Sequence, residues 1–152
     1  MEIFRLSGKR WASVLSGKGA SLKGARWNSQ GTEIIYAASN RSLAMAEVVV
    51  HFNLATIPRD YMMVTIYVPD DIKYKIVWER DLPAGWNSFP PVPSTQTFGD
   101  NFISENQFCL LKIPSVVTKG DFNFLVNPFH PEFARIKIVN IEPFYFDHRI
   151  FR

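Results

Sequence analysis

Apolar and polar residues change period several times along this chain, and each change predicts an element. Residues Arg135 to Glu142 alternate over eight positions, the pattern of a strand with one wet face. Tyr61 to Val68 is the clearest strand, ended by Pro69-Asp70-Asp71, and Tyr74 to Trp78 alternates as a half-exposed strand does. Glu33-Ile34-Ile35-Tyr36-Ala37 has the β-branched content of a short strand. Phe108 to Ile113 predicts another, stopped by Pro114-Ser115, and Asp121 to Val126 a further one, turned by Asn127-Pro128.

The period lengthens to that of a helix from Leu43 to Leu54, with Ser39, Asn40 and Ser42 as candidate caps. Leu43, Glu47, Val50 and Leu54 fall on one stripe, so a carboxylate shares a face with core-type residues. Ala44, Val48 and Val49 make the other side apolar too, which predicts packing on more than one side. Ser16 to Gly24 reads as a loop from its clustered Gly and Ser, and the regular structure of Met1 to Leu15 stays open. Leu82 to Gly99 holds Pro83, Pro90, Pro91 and Pro93 and reads as a long surface loop. Phe102 to Asn106 reads as a short helix or turn, and the aromatic tail Phe144 to Arg149 as docked on the body. The sum is a single α+β domain over residues 1–152, with several short strands and one clear helix.

Composition adds bounds. At 152 residues the chain is about one domain long, enough to bury roughly 70% of its unfolded surface. An apolar content of 47% argues against disorder. No apolar run reaches the roughly 18 residues that span a bilayer, and Glu2, Arg5, Lys9 and Arg10 interrupt any leader-like segment, so the expectation is a cytoplasmic protein without membrane contact. The net charge of +3 is mild and the cations are scattered, which makes direct nucleic-acid binding a weak suggestion. The one cysteine, Cys109, lies in an apolar run and reads as a buried, inert thiol.

Candidate chemistry concentrates between Gly24 and His51. Each residue there has a plain reading: Arg26 stacked on Trp27, Tyr36 in the core, Glu47 paired with a lysine or reaching outwards, Ser115 and Asn127 in turns. Glu47 and His51 lie one helical turn apart, but His130 and His148 add no ligand spacing, so no metal is expected. Gly-x-Ser-x-Gly, Walker and Rossmann glycine patterns are missing.

Taken together, these segments resemble a known family. Gly24-Ala25-Arg26-Trp27-Asn28-Ser29-Gln30-Gly31, Ile35-Tyr36-Ala37-Ala38 and Ser42-Leu43-Ala44 followed by Glu47-Val48 and Val50-His51 look like the signature of the RES-domain family. Gly99-Asp100, Ile113-Pro114-Ser115-Val116-Val117 and Asn123 to Phe133 continue it in order, so the resemblance is strongest over residues 17–133. Ala25 departs from a common second glycine, and Lys119-Gly120 interrupts an aliphatic stretch. The resemblance implies a fold similar to ADP-ribosyltransferases, a toxin of a type II toxin–antitoxin pair, NAD as substrate rather than a bound cofactor, and an antitoxin with a helix-turn-helix domain, with an oligomeric complex possible. Carried over position by position, it implies Arg26, Glu47, Ser115 and Tyr36 as catalytic, and Arg26, Tyr36, Ser115, Asn28 and Asn127 as NAD-binding.

The residue types suit that chemistry. Breaking the nicotinamide–ribose bond develops positive charge on the sugar, which a fixed carboxylate in a low-dielectric pocket stabilises. Arginine offers a planar fork for pyrophosphate oxygens that lysine lacks. Tyr36 has two candidate roles, stacking on nicotinamide or hydrogen-bonding the ribose; Ser115 either holds ribose or positions Glu47. The acceptor stays open among water, phosphate and a protein side chain. Two other readings stand beside this one: a ribonuclease toxin, from the basic balance and Trp27 and Trp86 as stacking groups, and a non-catalytic interaction module built on the Pro-rich loop and aromatic tail.

Overall fold

In the computed structural model, which describes residues 1–52 and 58–151, seven strands form one sheet. They are β1 Glu2–Gly8, β2 Ile35–Ala38, β3 Tyr61–Tyr67, β4 Tyr74–Ile76, β5 Leu110–Pro114, β6 Phe122–Val126 and β7 Lys137–Phe144. Their order is β4-β5-β6-β2-β1-β3-β7, antiparallel throughout except for the parallel β4/β5 pair. The open N-terminal segment is thus a near-central strand, paired with β3 over seven registers from Glu2 opposite Tyr67 to Gly8 opposite Tyr61. β4 is shorter than expected and wholly exposed; as an edge strand it has a partner on one side only, while the next residue, Val77, is buried.

Alternation along the strands sorts the core into two faces. Ile35, Ala37, Phe124, Val126, Leu110, Val64 and Ile66 share one cluster. The opposite face carries two: Trp27, Ile34, Phe102, Leu111, Ile113 and Leu125 in one, and Leu6, Ala38, Leu43, Ala44, Met63 and Phe146 in the other. Each fully buried aliphatic side chain stabilises the fold by about 1.5–3 kcal/mol. Phe146 brings the aromatic tail into the second of these clusters, as expected of it.

Three helices, α1 Lys18–Lys23, α2 Arg41–Val49 and α3 Pro93–Glu105, accompany the sheet. α2 is the predicted helix. Of its three candidate caps Asn40 is the one used: its backbone is extended and its side chain accepts a hydrogen bond from the Leu43 N–H. The helix ends at Val49, capped by Val50, short of the expected end at Leu54, which lies outside the described residues.

α1 and α3 correct two loop expectations. α3 begins inside the Pro-rich segment because Pro93 stands in its first turn, where an N–H has no helical partner and the ring's fixed φ suits the helix. Only Leu82 to Val92 keeps the irregular course, apart from a few turns. α1 forms in a Gly- and Ser-rich run because distant groups hold it: the Asn28 amide donates to the Ala20 carbonyl and the Gly31 N–H to the Ser21 carbonyl. Gly24, at φ +77°, then closes it.

Candidate active site

Glu47, on α2, and Asn123, on β6, meet between the two clusters of the helix-covered face. Asn123 opposes Ala38 and Ile113 in register, and Ser115 follows two residues after Ile113, immediately beyond β5. Two side chains donate to the same carboxylate oxygen, Glu47 Oε1: Ser115 Oγ at 2.7 Å and Asn123 Nδ2 at 2.6 Å. The Ser115 oxygen itself accepts from the Val117 and Thr118 N–H groups, both at 3.0 Å. With its lone pairs so engaged, its single proton points to Glu47. Ser115 therefore does sit in a turn and reach the carboxylate at once, and no lysine pairs with Glu47 among the described residues.

Partial burial lowers the pKa of Arg26 from the usual arginine value, and the nearby Glu47 carboxylate acts in the opposite direction. Its Nη1 donates to the carbonyls of Trp86 and Ser88, each at 2.8 Å, and so ties the irregular Leu82–Val92 segment to the site. Trp86 packs with the Trp27 cluster. A guanidinium has five N–H donors, and the two on Nη1 are those used here. Nε and Nη2 have no protein acceptor among the described residues.

Tyr36 is largely buried, and its hydroxyl is committed to the loop that carries Arg26. It donates to Asn28 Oδ1 at 2.6 Å and accepts from the Trp27 N–H at 3.2 Å. Burial, the leading cause, pushes its pKa well above the usual tyrosine value. Asn28 is fully buried and spends its amide on the carbonyls of Ala20, Ser29 and Thr32. Asn127, also fully buried, donates to Asn106 and accepts from the Phe129 N–H. The structure thus brings Arg26, Tyr36, Glu47 and Ser115 together, with Asn28 bracing Tyr36. Asn127 is engaged instead with Asn106, where the β6 strand turns away.

α3 supplies groups to which the sequence reading attached no role. Asp100 Oδ1 accepts from the Ser29 N–H at 2.9 Å, and Gln96 donates to the Ala25 carbonyl at 3.2 Å. Between them Gly99 lies so near the Trp27 carbonyl that an added Cβ would fall 1.6 Å from that oxygen. The signal for Asn123 was present in sequence: a polar residue between Phe122 and Phe124 in a strand, at a position whose neighbour Leu125 is core. Elsewhere, a concavity of about 350 Å³ lined by Trp78, Arg80, Asp121 and Phe122 adjoins the Ser115 turn, and it includes neither Arg26 nor Glu47.

Among the described residues no helix is long and apolar enough to cross a membrane, and no group of three or more His, Cys, Asp or Glu side chains is placed to hold a metal. His51 is exposed in the turn after α2.

Comparison with known proteins gives the family of the chain. The RES domain matches residues 2–147. The chain is 37% identical over 143 residues to a protein of Sphingobium sp. (strain YBL2) named "Prs ADP-ribosylating toxin", covering 93% of this chain and 89% of that one. It is 31% identical to a "Toxin Res" of Yersinia enterocolitica, covering 99% of both. In fold it is similar to a chain of the Mycobacterium tuberculosis MbcT-MbcA toxin–antitoxin complex, with a TM-score of 0.71, 18% identity, and coverage of 94% of this chain and 83% of that one. This chain belongs to the RES domain family and is homologous to Res toxins and to an ADP-ribosylating toxin.

Proposed function

We propose that this protein is the toxin of a toxin–antitoxin pair and that it breaks the nicotinamide–ribose bond of NAD, passing the ADP-ribosyl unit to an acceptor. The observation that carries the reading is the Glu47 carboxylate, held on one oxygen by Ser115 and Asn123 beside the Arg26 guanidinium. Homology to a protein named as ADP-ribosylating supports the same chemistry.

In this reading the bond from the ribose anomeric carbon to the pyridinium nitrogen breaks, and its electron pair leaves with nicotinamide, which becomes neutral. No strong acid is required. Positive charge grows on the sugar ring, and Glu47, fixed before the reaction, stabilises it without reorganising. The acceptor's lone pair then closes the new bond and its proton is lost. Arg26 binds pyrophosphate through the Nε and Nη2 edge left over by the loop. Tyr36 acts through its ring face, because its hydroxyl already serves Asn28 and Trp27. Asn28 and Asn127 act as braces of the two flanking loops, since their polar atoms are engaged within the chain.

Purified protein incubated with NAD, in water, with phosphate, or with a bacterial lysate and labelled NAD, distinguishes ADP-ribose, ADP-ribose phosphate and labelled protein as products. Glu47→Gln retains acceptors for Ser115 and Asn123 but removes the charge, so it is expected to cut turnover by about 10²–10³-fold while the thermal midpoint stays close to wild type. Intact NAD under all three conditions from folded wild-type protein rejects the reading. A partner that occludes the Glu47 site restrains such an enzyme, and the toxin–antitoxin complex of the structural neighbour supports looking for one. Co-expression with the product of an adjacent reading frame is expected to restore growth arrested by this chain alone.

A further inference from the structure

We infer that Asn123 is a positioning residue for Glu47, which, together with Ser115, saturates Oε1 and leaves Oε2 as the one carboxylate oxygen presented to substrate. The inference rests on the NAD reading for its consequence and on hydrogen-bond geometry for its content.

A carboxylate has two oxygens and can rotate to present either. Here both donors converge on Oε1, and no donor reaches Oε2 among the described residues. Neither donor can reverse its role. Ser115 has its oxygen filled by the Val117 and Thr118 N–H groups, so only its proton remains. Asn123 must turn its NH₂ to Glu47, since its carbonyl there would oppose two acceptors. The two donors come from different places, one from the turn after β5 and one from the second residue of β6, so they approach from separate backbone anchors. Ser115 alone would hold the carboxylate at one point and let it swing; a second donor on the same oxygen fixes the plane. That leaves the Oε2 lone pairs in a constant direction for ribose hydroxyls or for the developing charge on the ring, which is where preorganisation lowers a barrier.

The sheet makes the placement rigid. Asn123 lies in a five-residue strand paired on both sides, with β5 and β2. The Arg26 guanidinium from the loop is close enough to interact with Glu47, Tyr36 from β2 interacts with Arg26 in turn, and His51, four residues after Glu47, is exposed in the turn that ends α2.

The test combines turnover with a readout independent of NAD. Asn123→Ala is expected to lower kcat about 10–100-fold with KM for NAD changed less than about threefold, because orientation rather than binding is lost. Asn123→Asp keeps the shape but replaces the donor with an acceptor facing the carboxylate, so it is expected to lower kcat at least as far as Asn123→Ala. In the wild-type protein, the Asn123 side-chain NH₂ proton facing Glu47 is expected to resonate downfield and lose that shift in Glu47→Ala. A wild-type kcat in folded Asn123→Ala or Asn123→Asp, or an NH₂ signal indifferent to Glu47→Ala, overturns the inference while leaving NAD turnover in place. A wild-type chain inert toward NAD, with the NH₂ signal still dependent on Glu47, rejects the NAD reading and retains the contact.

Discussion

At the scale of single residues, the site is built by shared partners rather than by isolated reactive groups. Tyr36 illustrates it: one hydroxyl joins β2 to the loop that carries Arg26 by donating to Asn28 and accepting from Trp27. Tyr36→Phe keeps the ring and removes both bonds, leaving a buried acceptor and a buried N–H unpaired. The expected loss is about 1–3 kcal/mol of stability, measured by urea unfolding at neutral pH. The same residue predicts an alkaline limit. Its folded pKa is raised by burial, so the stability linked to it is complete below the unfolded tyrosine pKa of about 10 and declines as pH rises beyond that toward the folded value. Wild-type stability should therefore fall between about pH 10 and 12 more steeply than that of Tyr36→Phe. Parallel slopes would remove Tyr36 as the cause. Sequence made Tyr36 visible as a candidate because its neighbours resemble the family motif, yet its partners were hidden, since residue types do not say where a hydroxyl points.

At the scale of elements, α3 organises the Arg26 loop from outside it. Gln96 and Asp100 hold the Ala25 carbonyl and the Ser29 N–H, and Gly99 lets the helix backbone approach Trp27. Gly99→Ala would place a methyl 1.6 Å from a backbone oxygen, so helix and loop must separate. Ordinary overpacking costs about 1–3 kcal/mol, and a clash against backbone belongs at or beyond the top of that range. The expected outcome is a lowered thermal midpoint together with loss of the NAD turnover proposed above; a variant as stable as wild type would mean that α3 does not dock there. Proline density concealed this helix, because the rule that proline breaks helices holds for interiors and fails in the first turn, where Pro93 stands. α2 was legible by contrast, since its periodicity and its Asn40 cap are local signals.

At the scale of the whole molecule, one sheet runs between the two core faces and the site lies where two clusters of one face adjoin. The local parts therefore share their support, which favours cooperative unfolding. Cys109 is a natural reporter of it: the thiol is fully buried beneath the opposite face from Glu47, and burial pushes its pKa up to about 12. Labelling by a thiol reagent at pH 8 is expected to be negligible in the native protein and to follow the same denaturant midpoint as circular dichroism. Labelling well before that midpoint would reveal a part that opens separately.

What the sequence determined alone were the features written in short range: most strands from alternation, α2 from its 3.6-residue period, an inert buried cysteine, and a family resemblance through Arg26, Glu47 and Ser115. Short-range signals suffice there because side-chain direction follows from backbone period. Tertiary structure alone decided that the N-terminal strand lies near the sheet's centre, that α1 is a helix and α3 begins as early as Pro93, and that Ser115 and Asn123 meet one oxygen of Glu47 from 68 and 76 residues away. Those facts depend on which strands become neighbours, and strand pairing is set by the energy of the whole core rather than by any local stretch of chain.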